Sequence, residues 1–86
     1  MSATIPVRVL VMDTWDEIAL DLAPATPVAD LKREVLARAR VARSPEEYVV
    51  KYRGAEVWEN GMTLADAGVV PNAALIVLPR RRLPVR

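Results

Sequence analysis

The chain has 86 residues, of which 52% are hydrophobic and 27% charged, a formal net charge of +1, and neither cysteine nor histidine. That length makes one small domain, and the missing residue types exclude disulfides, thiolate metal sites, thiol nucleophiles and imidazole general bases. The charge is unevenly placed: residues 1–79 hold eight basic against eleven acidic residues, while Arg80, Arg81, Arg82 and Arg86 crowd the last seven positions.

Residues 5–12 alternate, with Val7, Val9 and Val11 on one side and Arg8, Leu10 and Met12 on the other. Period two in a β-branched run predicts a strand, and Pro6 suits its start. Asp13 to Glu17 is a short polar connection to a second alternating run, Ile18 to Leu22, so the two strands form a hairpin. Ala23-Pro24-Ala25-Thr26-Pro27 breaks the pattern. Thr26 is the expected N-cap and Pro27 the first helical position. Apolar residues at Val28, Leu31, Val35, Leu36 and Ala39 then predict a helix over about 27–40. Arg38, Arg40 and Arg43 stand where the helix dipole favours cations.

Ser44-Pro45-Glu46-Glu47 reads as a tight capped turn. Tyr48 to Tyr52 is a third strand, Glu56 to Trp58 a short fourth, and Ala73 to Leu78 the last, stopped by Pro79. Between them Asn60-Gly61 marks a turn, Thr63-Leu64-Ala65-Asp66 has capping-box form, opening a short helix or 3-10 turn, and Gly68 supplies its left-handed exit. The order is ββαββ, a short turn or helix, then β. The expected fold class is α+β, a mixed sheet of four to five strands with one helix packed across it. The inward set is Val7, Val9, Ile18, Leu20, Leu22, Val28, Leu31, Val35, Val50, Val57, Leu64, Val69, Leu75 and Val77. Each such burial is worth roughly 1.5–3 kcal/mol before entropy is counted. The expected division is a domain over 1–79 and a flexible basic tail over 80–86.

Several segments in this order resemble ubiquitin and the wider β-grasp family. They are Tyr52-Arg53-Gly54-Ala55-Glu56-Val57, Met62-Thr63-Leu64-Ala65-Asp66-Ala67-Gly68-Val69, the helix run Val28 to Val35, and Leu75-Ile76-Val77-Leu78 followed by arginines. The resemblance covers about residues 5–82 and implies a ubiquitin-like β-grasp. It departs at the end: conjugated relatives finish in Gly-Gly, which an activating enzyme threads through a narrow channel. Here the chain reads Leu83-Pro84-Val85-Arg86, and no diglycine occurs anywhere. Proline stiffens the backbone where glycine would free it, so the expectation is no conjugation by the usual route.

The resemblance also implies a partner-binding patch on the open face of the sheet. Its expected residues are Met12, Lys51 and Leu78, flanked by Val49 and Ile76. Lys51 puts a charge where ubiquitin is aliphatic, so ubiquitin-specific receptors should bind poorly. Trp15, among Asp13, Asp16 and Glu17, is a candidate exposed anchor. Trp58 reads better as a lid folded onto the core. The acidic neighbours lack calcium-loop spacing, and Thr63 with Asp66 is explained by a helix cap, so no catalytic residue, metal or cofactor is expected. Arg80, Arg81 and Arg82 could contact phosphates of nucleic acid or an anionic membrane, but an acidic body without interleaved aromatics favours a protein groove. No apolar run is long enough to span a membrane, and Met1-Ser2-Ala3-Thr4 does not open a signal peptide. A cytoplasmic location is expected. The resulting expectation is a bacterial, non-enzymatic ubiquitin-like protein that binds partners non-covalently. The resemblance points most nearly to small relatives without diglycine that are associated with bacterial type VII (WXG-type) secretion systems. The alternatives are a covalent modifier or carrier with an unconventional C-terminus, and a basic-tailed nucleic-acid adaptor.

Overall fold

The alternating valines of the first strand find their cover in the helix. In the computed structural model, which describes residues 4–59 and 61–80, the elements are β1 (Ile5–Val11), β2 (Asp16–Leu22), α1 (Val28–Arg38), a 3-10 turn (Pro45–Glu47), β3 (Tyr48–Tyr52), β4 (Ala55–Val57) and β5 (Ala73–Pro79). The five strands form one sheet in the order β2-β1-β5-β3-β4. β1 and β5 run parallel at its centre, with Val9 opposite Leu75 and Val11 opposite Val77; the other neighbours are antiparallel. Val28, Leu31, Val35 and Leu36 of α1 are buried with Val7, Val9, Val11, Val50, Leu75 and Val77 of the sheet. Ile18 and Leu22, expected fully inside, are only half-buried at the sheet's edge, because β2 has a neighbour on one side alone.

The ends of α1 differ from expectation for a physical reason. Its N-cap residue is Pro27, not Thr26, and no side chain caps it. Instead the Val28 N–H donates to the Met62 carbonyl at 2.9 Å, and the Leu64 N–H donates to the Thr26 carbonyl at 2.9 Å. A distant backbone segment satisfies the donor that a side-chain cap would have taken. At the other end the helix stops at Arg38, two residues early. Arg40 adopts φ +59°, and the Val41 N–H reaches back to the Leu36 carbonyl at 3.0 Å, a left-handed exit of Schellman type.

The reciprocal cap at Thr63 and Asp66 is present: each side-chain oxygen accepts the other's backbone N–H at 3.1 Å. It encloses a run of turns closed by Gly68 at φ +77°, with no helix assigned. The loop ahead of β3 is the capped turn expected, Ser44 Oγ accepting the Glu46 N–H at 3.3 Å. Among the described residues no helix is long and apolar enough to cross a membrane.

Two polar ties lock β3 to its surroundings. Lys32, buried in the middle of α1, donates to the Tyr48 carbonyl at 3.0 Å and pairs with Glu59 at 2.8 Å. Its charge is tolerated inside because its donors have acceptors. Tyr48 is fully buried and its hydroxyl donates to Asp13 Oδ2. Burial pushes the Tyr48 phenol above its ordinary pKa, and the hydrogen bond and charge of Asp13 push the same way.

Candidate functional site

Because side chains alternate across a strand, the residues that alternate with the core positions of β1, β3 and β5 lie on the opposite, helix-free face. There the register aligns one row across the whole sheet: Glu17, Leu10, Ile76, Lys51 and Glu56, one from each strand in spatial order. The adjacent row pairs Leu78 with Val49. Met12 prolongs β1 beside it, its N–H donating to the Val77 carbonyl at 2.9 Å. Directly opposite residues on one face stand roughly 4.5–5.5 Å apart at Cβ, so these side chains form one surface.

Met12 is 36% exposed and Ile76 37%, while Leu78 and Lys51 are half-buried. Val49 departs from expectation: it is 6% exposed and belongs to neither the rim nor the main core. Valine is short, and the longer Lys51, Leu78, Pro79 and Arg80 line the same depression with it. Val49 is the floor of a shallow groove. Leu10 was not singled out from the sequence, yet it is half-buried at the centre of the row between Glu17 and Ile76. The signal was available in the Arg8, Leu10, Met12 alternation.

The two tryptophans both face solvent. Trp15 is 72% exposed in the β1–β2 loop. Trp58 is 67% exposed, which corrects its reading as a lid; the neighbouring Glu59 is held by Lys32, while Val57 takes the inward position at the end of β4. Arg80 is not the start of a free tail. Its N–H donates to the Glu47 carbonyl at 2.6 Å and its Nε to the Glu46 carbonyl at 3.4 Å. Arg81 and Arg82 lie outside the described residues.

Charge on the open face is zoned. The cations Arg8 and Lys51 stand on β1 and β3, while Glu17, Asp21 and Glu56 stand on the edge strands β2 and β4. Among the described residues no ion pair within 4.0 Å involves Lys51. Among the described residues there is no group of three or more His, Cys, Asp or Glu side chains that could hold a metal ion. The open face thus carries an apolar strip, one cation within it, and acidic borders.

No protein-family model and no curated protein matches the chain. Solved structures do. A structure described as Caldiarchaeum subterraneum ubiquitin superposes with a TM-score of 0.78 at 17% identity, covering 93% of this chain and 98% of that one. A de novo design by Hydra based on ubiquitin gives 0.79 at 18% identity, with 98% of each chain covered. The N-terminal ubiquitin-like domain of the 4931431F19Rik protein gives 0.75 at 17% identity, covering all of this chain and 84% of that one. The fold is therefore the ubiquitin-like β-grasp, an α+β arrangement. These neighbours lend no support to bacterial origin or to a place in type VII secretion.

Proposed function

We propose that this chain is a non-enzymatic ubiquitin-like module that works by non-covalent protein–protein binding through the open face of its sheet. The observation that carries the reading is the strip of Leu10, Met12, Ile76 and Leu78, in register on adjacent strands and incompletely buried. Aliphatic residues collected on one side of a small domain, rather than scattered, are the usual mark of an interaction surface. Lys51 inside the strip sets its selectivity: a partner must offer it an acceptor or bear the cost of desolvating a charge. A role in bacterial secretion is a narrower form of the same reading, resting only on length, fold and the absent diglycine; co-purification with a secretion ATPase tests it.

The direct test compares the partners recovered by the wild type and by Leu78→Asp, which puts a carboxylate into the strip. The expected result is loss of the specific partners with an unchanged fold by circular dichroism. Recovery of the same proteins by both would sink the open face as the site. Two outcomes would replace the reading altogether. Covalent adducts detected by intact mass would make the chain a modifier, and nucleic-acid binding with a steep salt slope would make it a basic adaptor.

A further inference from the structure

β2 is the longer of the two edge strands, seven residues against three in β4, and one side of its backbone is not used by the sheet. Along a strand, successive N–H and C=O groups point to alternate sides. The Met12 N–H donates to the Val77 carbonyl, and the Asn72 N–H, at the head of β5, donates to the Pro6 carbonyl. Met12 and Pro6 therefore point to β5, and Val7, Val9 and Val11 point to β2, where they face Leu20, Ile18 and Asp16. The backbone groups of Glu17, Ala19 and Asp21 are left aimed away from the sheet, and among the described residues no loop or turn bonds them. An open edge of this length is a template for another strand. Its side chains are unmatched too. Ile18 and Leu22 are only half-buried on the helix side. Glu17 and Asp21 are exposed on the open side and, among the described residues, in no ion pair within 4.0 Å.

One segment of the chain has the complementary pattern. Arg82-Leu83-Pro84-Val85-Arg86, outside the described residues, carries aliphatic residues at two alternate positions and arginines at its ends. We propose that residues 82–86 of one copy add as a parallel strand to the free edge of β2 in a second copy, with Pro84 beside Ala19. Paired residues share a face. Leu83 and Val85 then lie beside Ile18 and Leu20 and extend the core layer, while Arg82 and Arg86 meet Glu17 and Asp21. Pro84 brings no charge into line with Arg8, which stands opposite Ala19 on β1.

The proline sets the direction. In an antiparallel addition Pro84 would face Ala19 as a hydrogen-bonded pair, and its missing N–H would leave the Ala19 carbonyl unanswered. Moving the register by one residue turns both arginines onto the core face. In the parallel arrangement the Ala19 N–H donates to the Leu83 carbonyl, the Val85 N–H donates to the Ala19 carbonyl, and the Pro84 nitrogen faces water. The tail comes from a second copy because a chain's own tail cannot reach. The new strand lies three strand spacings, about 14 Å, from β5, and Arg80 is tied to Glu46 and Glu47 on the β3 side. The two residue steps from Arg80 to Arg82 span only about 7 Å. Each copy has one edge and one tail, so the association is head-to-tail.

Sedimentation of the full chain at low salt, over a concentration series, tests this. The average mass should rise with concentration, and the amides of Glu17, Ala19 and Asp21 should shift and exchange more slowly. Val85→Pro removes the N–H aimed at Ala19 without changing the charge, and should abolish the association. Arg82→Glu with Arg86→Glu should weaken it roughly tenfold, as should Glu17→Arg with Asp21→Arg. An equimolar mixture of these two double variants should associate again, since reversed tails then meet reversed edges. Circular dichroism checks each fold; if the edge variant unfolds, Val85→Pro and the tail variant decide. A monomeric mass at every concentration, association undiminished in Val85→Pro, or no recovery on mixing two folded variants would each overturn the proposal. So would association whose amide shifts fall on Ile76, Leu78 and Lys51 instead of residues 17–21.

Discussion

The two faces of the sheet treat a lysine in opposite ways. On the helix-covered side Lys32 is buried, and its ammonium is held by the Tyr48 carbonyl and the Glu59 carboxylate. On the open side Lys51 is half-buried among Ile76, Val49 and Leu78, with Glu56 directly across β4 and no ion pair within 4.0 Å among the described residues. One lysine is part of how the domain holds itself together. The other costs the fold little and, on the proposed function, restricts what can dock. A buried charge must be paired within the molecule, whereas a charge at the surface can wait for a partner to pair it.

The widest gap between the faces should appear on truncation of an aliphatic side chain. Leu31→Ala opens a cavity under α1 and should cost about 2–5 kcal/mol. Ile76→Ala, on the other side of the same sheet and 37% exposed, should cost under about 1 kcal/mol. Urea titrations of the two variants measure both. Equal losses would mean that the open face is packed as tightly as the core, and the case for a free contact surface would go with it.

The lysines sharpen the same contrast. Lys32→Ala leaves the Tyr48 carbonyl without its donor and Glu59 without its cation. Removing one member of a buried pair costs about 3–5 kcal/mol. The Glu59 side chain keeps 22% of its exposure, which places the expected loss at the lower end, about 3 kcal/mol. Lys51→Ala should fall within about 0.5 kcal/mol of the wild type while altering partner selection. If Lys51→Ala proved as damaging as Lys32→Ala, Lys51 would be structural.

Period and turn chemistry carry most of this fold in plain sight. The alternation of Val7, Val9 and Val11 and the helical spacing of Val28, Leu31 and Val35 fix which residues meet, and all six are buried. What local sequence could not give is the partner of a distant group. Thr26 looks like a cap, yet the Met62 carbonyl supplies the contact that α1 needs. Nothing in the local sequence marks Lys32 for burial, because Glu59 and the Tyr48 carbonyl that hold it arrive from elsewhere in the chain. The open face was expected from the resemblance, and the alternation of Arg8, Leu10 and Met12 could have added Leu10 to it. Its details were not legible, since the depth of Val49 depends on neighbours drawn from β5 and the segment after it. Trp58 was misjudged on the same ground: Val57 is the inward residue at the end of β4, so the tryptophan projects into water.

The Tyr48–Asp13 tie predicts a loss of stability at high pH. In the folded chain burial, then the Asp13 hydrogen bond and charge, disfavour the ionised phenol. In the unfolded chain the phenol releases its proton near its ordinary value of about 10. Above that pH the unfolded state binds fewer protons than the folded one, so stability falls as pH rises; below it this group contributes no slope. Denaturant midpoints measured from pH 8 to 11 should decline above about 10. Tyr48→Phe should remove that share of the decline and cost about 1.5 kcal/mol at neutral pH through the lost bond to a carboxylate. An identical decline in Tyr48→Phe would show that the tie does not couple to folding.

The smallest effect concerns the turn between β3 and β4. Arg53 and Gly54 both have positive φ, +56° and +80°, the signature of a two-residue type I′ hairpin, where Asn-Gly is preferred. Arginine is strained there, and replacement by asparagine should relieve about 1 kcal/mol. Against this, the Arg53 guanidinium lies 5.4 Å from the Tyr52 ring centroid, a contact worth about 0.5 kcal/mol at an exposed site. The relief is the larger of the two, so Arg53→Asn should stabilise by about 0.5 kcal/mol and raise the melting temperature by roughly 2–4 °C. A lower melting temperature would reverse that ranking. It would mean that a guanidinium stacked on an exposed ring of this domain outweighs left-handed strain.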